Sequence, residues 1–177
     1  MSNLTERQAE TRGQGTVFRQ FLANRGVVMV KETRPIGKCK GDHGDMLAVE
    51  TMLLTILKGA KRDTTYGVRL ERHDSEGDVE SSAFIDFDEL DELLEAIKFI
   101  HSTANELSAQ ERDYTEVSYS TKDSAKFGFY QSAEIQQAFV SVSENRGTTF
   151  LTLAKLASLA KIIEKSRAHL VSRGAPE

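Results

Sequence analysis

The sequence predicts an α+β fold: two ββββα repeats forming a pseudo-two-fold pair of antiparallel sheets with packed helices. Three observations predict it. Residues 84–97 (FIDFDELDELLEAI) and 150–163 (FLTLAKLASLAKII) align without a gap, placing Phe84 on Phe150, Leu90 on Leu156, Leu93 on Leu159 and Ile97 on Ile163. Each copy follows four runs rich in β-branched and aromatic residues, separated by Gly, Asp and Ser, the composition of strands and turns. Past the first phenylalanine of each copy, apolar residues adopt helical spacing. A repeat of this kind decides how the chain is divided.

Residues 1–15 are polar and read as a mobile N-terminal arm. Val17, Phe18, Phe21 and Leu22 share one helical face, giving a short helix that stops at Gly26. Val27 to Thr33 is a strand running on toward Pro35, and IGKCKGDHGDM (36–46) suits a loop or hairpin end. Leu47–Leu57 and Thr65–His73 are the next strands, joined by a short turn at KGAKRD. Ser82–Ile85 follows the polar loop HDSEGDVE and leads into the first repeated helix. The second half repeats the order with Thr115–Thr121, Lys126–Gln131, Gln137–Ser143 and Thr148–Leu151, then a helix to about Leu170. The first unit with its leading helix spans 16–106 and the second 114–171, leaving 172–177 as a frayed tail. A loop from Ala104 to Thr115 joins them, and Tyr66-Gly67-Val68 reads as an echo of Phe127-Gly128-Phe129.

The repeated junction has a mechanism. Asp86 as N-cap and Glu89 three residues on form a capping box, with Ile85 and Leu90 as its hydrophobic staple. In the second copy Thr152 takes the cap and Leu151 with Leu156 the staple, while Lys155 replaces Glu89. Phe87, Leu90, Leu94, Ile97 and either Ile100 or Leu93 supply the first apolar stripe. Leu153, Leu156, Leu159, Ala160 and Ile163 supply the second. Each helix is expected to lie on its own four-stranded sheet.

A hydrophobic content of 39% with 28% charged residues suits a globular chain, and no apolar run is long enough for a membrane helix. The polar start lacks the apolar centre of a secretion signal, and the lone Cys39 excludes an internal disulfide, so a cytoplasmic location is expected. The net charge of −4 is uneven: residues 73–95 contain ten carboxylates and no Lys or Arg. That run lacks EF-hand spacing and reads as a solvated loop followed by a helix with an acidic first turn. Cys39 and His43, four apart beside Asp42 and Asp45, lack the second ligand pair of a zinc site and read as a turn. The four histidines are scattered, and no catalytic, phosphate-binding or dinucleotide motif occurs. A non-enzymatic protein with no metal and no cofactor is expected.

The basic residues suggest a use. Lys31, Arg34, Lys38 and Lys40 lie along the first strand; Lys58, Lys61 and Arg62 crowd a turn; Arg69 and Arg72 share the third strand with Tyr66. Alternation puts Tyr66, Val68 and Leu70 on one face and Arg69 on the other. In the second unit Lys126, Gly128 and Tyr130 share a face opposite Phe127 and Phe129, with Tyr119 and Lys122 nearby. Aromatics beside cations on an open sheet suit single-stranded nucleic acid, whose bases stack while its phosphates pair.

Four strands then a helix, repeated over about residues 27–170, resembles the Whirly-like group of single-stranded nucleic-acid-binding proteins, and Pur-type repeats have a similar order. The Whirly strand motif, close to KGKAAL, has its nearest text in IGKCKGDHGDML, which keeps Gly37 and Lys38 and then diverges. The resemblance implies single-stranded DNA or RNA as partner. The competing expectation is a protein-interaction or oligomeric scaffold whose sheet is covered by another subunit. Neither reading involves a membrane.

Overall fold

The computed structural model of the protein describes residues 15–144 and 146–177. The expected arm lies almost wholly outside them. A short helix, α1 (Val17–Leu22), precedes β1 (Val28–Lys40), β2 (Met46–Lys58), β3 (Lys61–His73) and β4 (Val79–Asp86). A 3-10 turn (Phe87–Glu89) leads into α2 (Leu90–Leu107). The second unit comprises β5 (Arg112–Ser120), β6 (Lys126–Ala133), β7 (Ile135–Ser141), β8 (Thr148–Leu151) and α3 (Leu153–Ser172). Each set of four strands makes an antiparallel sheet in chain order, sheet A from β1 to β4 and sheet B from β5 to β8. The duplicated ββββα layout and the α+β class are therefore present.

Several boundaries differ from expectation. β3 starts at Lys61, β4 at Val79 and β7 at Ile135, each earlier than expected. Three further differences have a local reason. The run expected as a loop is strand as far as Lys40, with Ile36 bulged between Pro35 and Gly37. The bulge suits an edge strand containing proline. The connection between the units is only residues 108–111, because α2 continues to Leu107 and β5 starts at Arg112. The tail does not fray at once. Gly174, at φ +100°, turns the chain so that its amide donates to Val171 O and the Ala175 amide to Leu170 O. This is a Schellman closure, and it buries Ala175 against the core beside Leu170.

The helices are exchanged. α2, which follows sheet A, lies against β5 and β6 of sheet B, and α3 crosses β1, β2 and β3 of sheet A while also touching β7 and β8 of its own sheet. Gln136 Nε2 on β7 donates to Ala104 O of α2 at 2.6 Å, and Cys39 Sγ on β1 lies 3.7 Å from Lys155 O of α3. The expectation that each helix covers its own sheet is thus corrected. One core results: Leu47, Val49, Val68 and Ile85 of sheet A join Phe127, Phe129, Val140 and Leu151 of sheet B around Leu93, Ile97, Leu159 and Ile163. The stripes are those expected, with Leu153 and Ala160 partly buried at the margin.

The junction caps also differ. Thr152 Oγ1 accepts from Lys155 N at 3.1 Å, as expected. Asp86, however, makes no side-chain bond to its own helix. Its carboxylate accepts from Val17 N and Phe18 N of α1, at 2.8 and 3.1 Å, and Glu89 accepts from Lys122 N at 2.7 Å. No capping box forms, because both carboxylates have longer-range amides to satisfy. The Tyr66 echo is likewise corrected, since Gly67 is on a third strand and Gly128 on a second.

Candidate functional site

Strand alternation sorts the cations of sheet A onto two faces. Lys31, Lys38 and Lys40 pair with Leu54, Ala48 and Met46, on the face away from α3, and none has a carboxylate partner among the described residues. Arg69 shares that face but is held between Glu50 at 2.5 Å and Glu71 at 3.2 Å. Arg34, Tyr66 and Arg72 stand on the opposite face. Arg34 borders a hollow with Lys165 and His169 of α3, where burial, then Arg34 and Arg173, lower the pKa of His169. Arg72 is occupied by Asp45, at 3.2 Å, and by Glu80. Lys58 and Lys61 pair at the β2–β3 tip, next to Arg62. Ten of the fourteen expected residues therefore fall in sheet A, but not on one face.

In sheet B, Tyr119 pairs with Phe127 on the helix face, where burial first and then Glu89 and Glu92 push its hydroxyl pKa up to about 12. Lys122 is at the hairpin tip, 3.2 Å from Asp88. Only Lys126 and Tyr130 of the expected set stand on the face away from the helices. That face has further aromatics which the sequence reading passed over. Tyr114, 61% exposed, stacks on Tyr130 with ring centroids 6.0 Å apart. Phe139 pairs with Gly128 on one side and Phe150 on the other. The glycine is required there, because a Cβ would come within 2.9 Å of Phe139 Cζ and 2.5 Å of Val117 O. His43, from the β1–β2 hairpin, meets the Phe150 ring edge-on at 5.7 Å.

No family model, curated protein or solved structure matches the chain. What the site can do therefore rests on its own geometry. Beside Phe139 a cleft of about 380 Å³ is lined by Ser120, Lys126, Ser141, Glu144 and Thr148 among others. Lys126 stands 3.8 Å from Glu116, a pair too exposed to contribute much. Sheet A's corresponding face is partly closed by α1, where Phe18 stacks on Phe84 at 5.8 Å. No helix of the described residues covers sheet B in that way.

The other constellations do not converge. Cys39 is buried against α3, and desolvation raises its thiol pKa, opposite to the activation a nucleophile needs. Its sequence neighbour His43 faces Phe150 instead. Among the described residues no three His, Cys, Asp or Glu side chains are placed to hold a metal ion, and no helix is long and apolar enough to cross a membrane. The outward position of Phe139 follows from alternation with Ala138 and Val140. That of His43 depends on how the two units dock, which no local pattern encodes.

Proposed function

We propose that the protein is a non-enzymatic binding module for single-stranded nucleic acid, which takes the strand across the open face of sheet B. The observation that supports this is the aromatic set on the face that no helix covers: the Tyr114–Tyr130 stack, with Tyr114 61% exposed, then Phe150 and His43, with Phe139 buried beside Phe150 at 7% exposed. Stacking platforms of this kind bind bases without regard to sequence. Lys126 stands on the same face at the start of β6, two residues from the Gly128 that Phe139 pairs with, while Lys38 and Lys40 end β1 just before the hairpin whose Asp42 amide donates to Phe150 O at 2.8 Å. Three cations are few, and Glu116 and Glu144 border the same face. Affinity should therefore come mainly from stacking, with a shallow dependence on salt.

A fluorescence-anisotropy titration of labelled oligothymidylate tests this. With about three phosphates neutralised, log K is expected to fall with log salt at a slope near −2, from roughly −0.7 per phosphate for single strands. Tyr114→Ala, at an exposed position, is expected to weaken binding about tenfold, the effect of losing one stacked base. No binding at low salt overturns the proposal. A scaffold reading is favoured by one observation, the exposed Val28 (64%) and Val30 on the free edge strand β1. Light scattering on the same sample decides that reading: a stable oligomer with no oligonucleotide effect replaces the first proposal with the second.

A further inference from the structure

The two units meet through matching parts that carry opposite charges. Both first hairpins close with the same five-residue turn, Gly41–Asp45 and Thr121–Ala125. In each, the first amide donates to the last carbonyl at 2.8 Å, and the fourth residue is left-handed (Gly44, φ +93°; Ser124, φ +67°). Each tip crosses to the repeated strand–helix junction of the other unit. Tip one places the Asp42 amide on Phe150 O, and tip two places Asp123 Oδ2 on Phe84 N, both at 2.8 Å. Phe84 and Phe150 are equivalent in the repeat.

At both crossings the second turn residue meets the helix start. Asp42 bonds Lys155 Nζ at 2.5 Å. Lys122 bonds Asp88 through Nζ at 3.2 Å and Glu89 through its amide at 2.7 Å. Glu89 and Lys155 are the same position of the repeat, and so are Asp88 and Ala154. The signs are therefore inverted at both ends: acidic tip on basic junction, basic tip on acidic junction.

From this juxtaposition we infer that the unit–unit interface selects its partner by charge, accepting the complementary unit and rejecting a copy of itself. A first unit docked on another first unit would set Asp42 against Asp88 and Glu89. A second unit docked on another second unit would set Lys122 against Lys155. Like charges brought together across an interface oppose association, whereas the pairing within one chain sets Asp42 on Lys155 and Lys122 on Asp88. The recognised partner is thus a ββββα unit with a basic residue at the first turn of its helix for tip one, and an acidic one for tip two. The hairpins are not identical. Tip one also sends Asp45 to Arg72 and Thr149, whereas at tip two the polar partners are the buried Glu89, which accepts from Lys122 N, and the partly buried Asp123, which accepts from Phe84 N and pairs with Arg19.

The test uses the full chain and keeps the buried Glu89. Asp42→Lys with Lys122→Asp exchanges the signs of the two tips, which are partly exposed. Each tip then repels its own junction and suits the junction of a like unit. Relative to wild type, a lower urea midpoint is expected, with self-association rising about tenfold or more in light scattering across a concentration series. Adding Asp88→Lys and Lys155→Glu restores complementarity within the chain and is expected to recover both readouts. Asp42→Asn with Lys122→Gln removes charge without inverting it and is expected to lower the midpoint without self-association. The inference is overturned if the exchange variant stays at wild-type mass and midpoint, if the fourfold variant does not recover, or if the neutral variant associates equally.

Discussion

Glu89 has two tasks that compete with each other. It lies in the first turn of a helix, where negative charge is favourable, yet it is 2% exposed and one of its oxygens lacks a partner. Burial raises its carboxyl pKa, with the Lys122 amide pulling the other way. A carboxyl with a folded pKa above its unfolded one holds its proton more tightly in the native state. Its ionisation therefore lowers stability progressively as pH rises from the unfolded value through the folded one. Glu89→Gln keeps an acceptor for Lys122 N–H and removes the charge. The variant is expected to gain stability over wild type as pH is raised through that window, and to show no such gain below it. Urea midpoints at a series of pH values read this directly, and parallel curves for the two proteins would refute it. Asp42 behaves oppositely: the hydrogen bond from Lys155, foremost, lowers its pKa, so its contribution is present above the unfolded value and lost as pH falls through the folded one.

Among the elements, α1 shows how a sequence signal can be right and its purpose misplaced. A six-residue helix is too short to persist alone. It persists because Phe18 packs under Met52, Leu54 and Phe84, because Arg19 lies over the Phe84 ring and pairs with Asp123, and because Asp86 receives its first two amides. Asp86→Ala leaves those amides without that acceptor and is expected to cost about 1–3 kcal/mol. It should also speed tryptic cleavage after Arg19 several-fold, a readout local to α1; unchanged cleavage would mean that packing alone holds the helix. The sequence did signal Asp86 as a helix cap, but the amides it serves are 68 and 69 residues away. The same limit explains the other departures. All eight strands were legible from alternation and turn residues. β1 was read short because Gly37, with Gly41 and Gly44 of the turn that follows, disguised the alternation of Lys38, Cys39 and Lys40 about the strand. The apolar stripes of α2 and α3 were legible as covered faces, but a stripe does not specify which sheet covers it. In the candidate site, Lys126 and Tyr130 were legible as neighbours on one face, whereas His43 against Phe150 required the docking of the two units.

For the whole molecule, the exchange of helices is the controlling fact. If each helix lay on its own sheet, the chain would be two small domains in contact, and each could open by itself. Instead, sheet A is covered by a helix that follows β8, and sheet B by one that follows β4. Opening either unit bares the helix-facing side of the other, from Leu47, Val49, Val68 and Leu70 on one sheet to Phe127, Phe129 and Val140 on the other. Exposing so much apolar surface is strongly unfavourable, at roughly 25 cal/mol per Å². The edges agree with this. β4 and β8, which would otherwise be open strand edges, are met by the hairpin tips through Asp123 and Asp42. Residues 15–177 are therefore expected to unfold as one cooperative unit despite their internal repeat. The tyrosines make this measurable, since Tyr66 reports on the first unit and Tyr114, Tyr119 and Tyr130 on the second. With fluorotyrosine incorporated, the ¹⁹F resonances of both units should lose native intensity at one urea midpoint, coincident with far-UV circular dichroism. Separate midpoints for Tyr66 and the other three would show that the units open independently, and the shared core would then not be what holds them together.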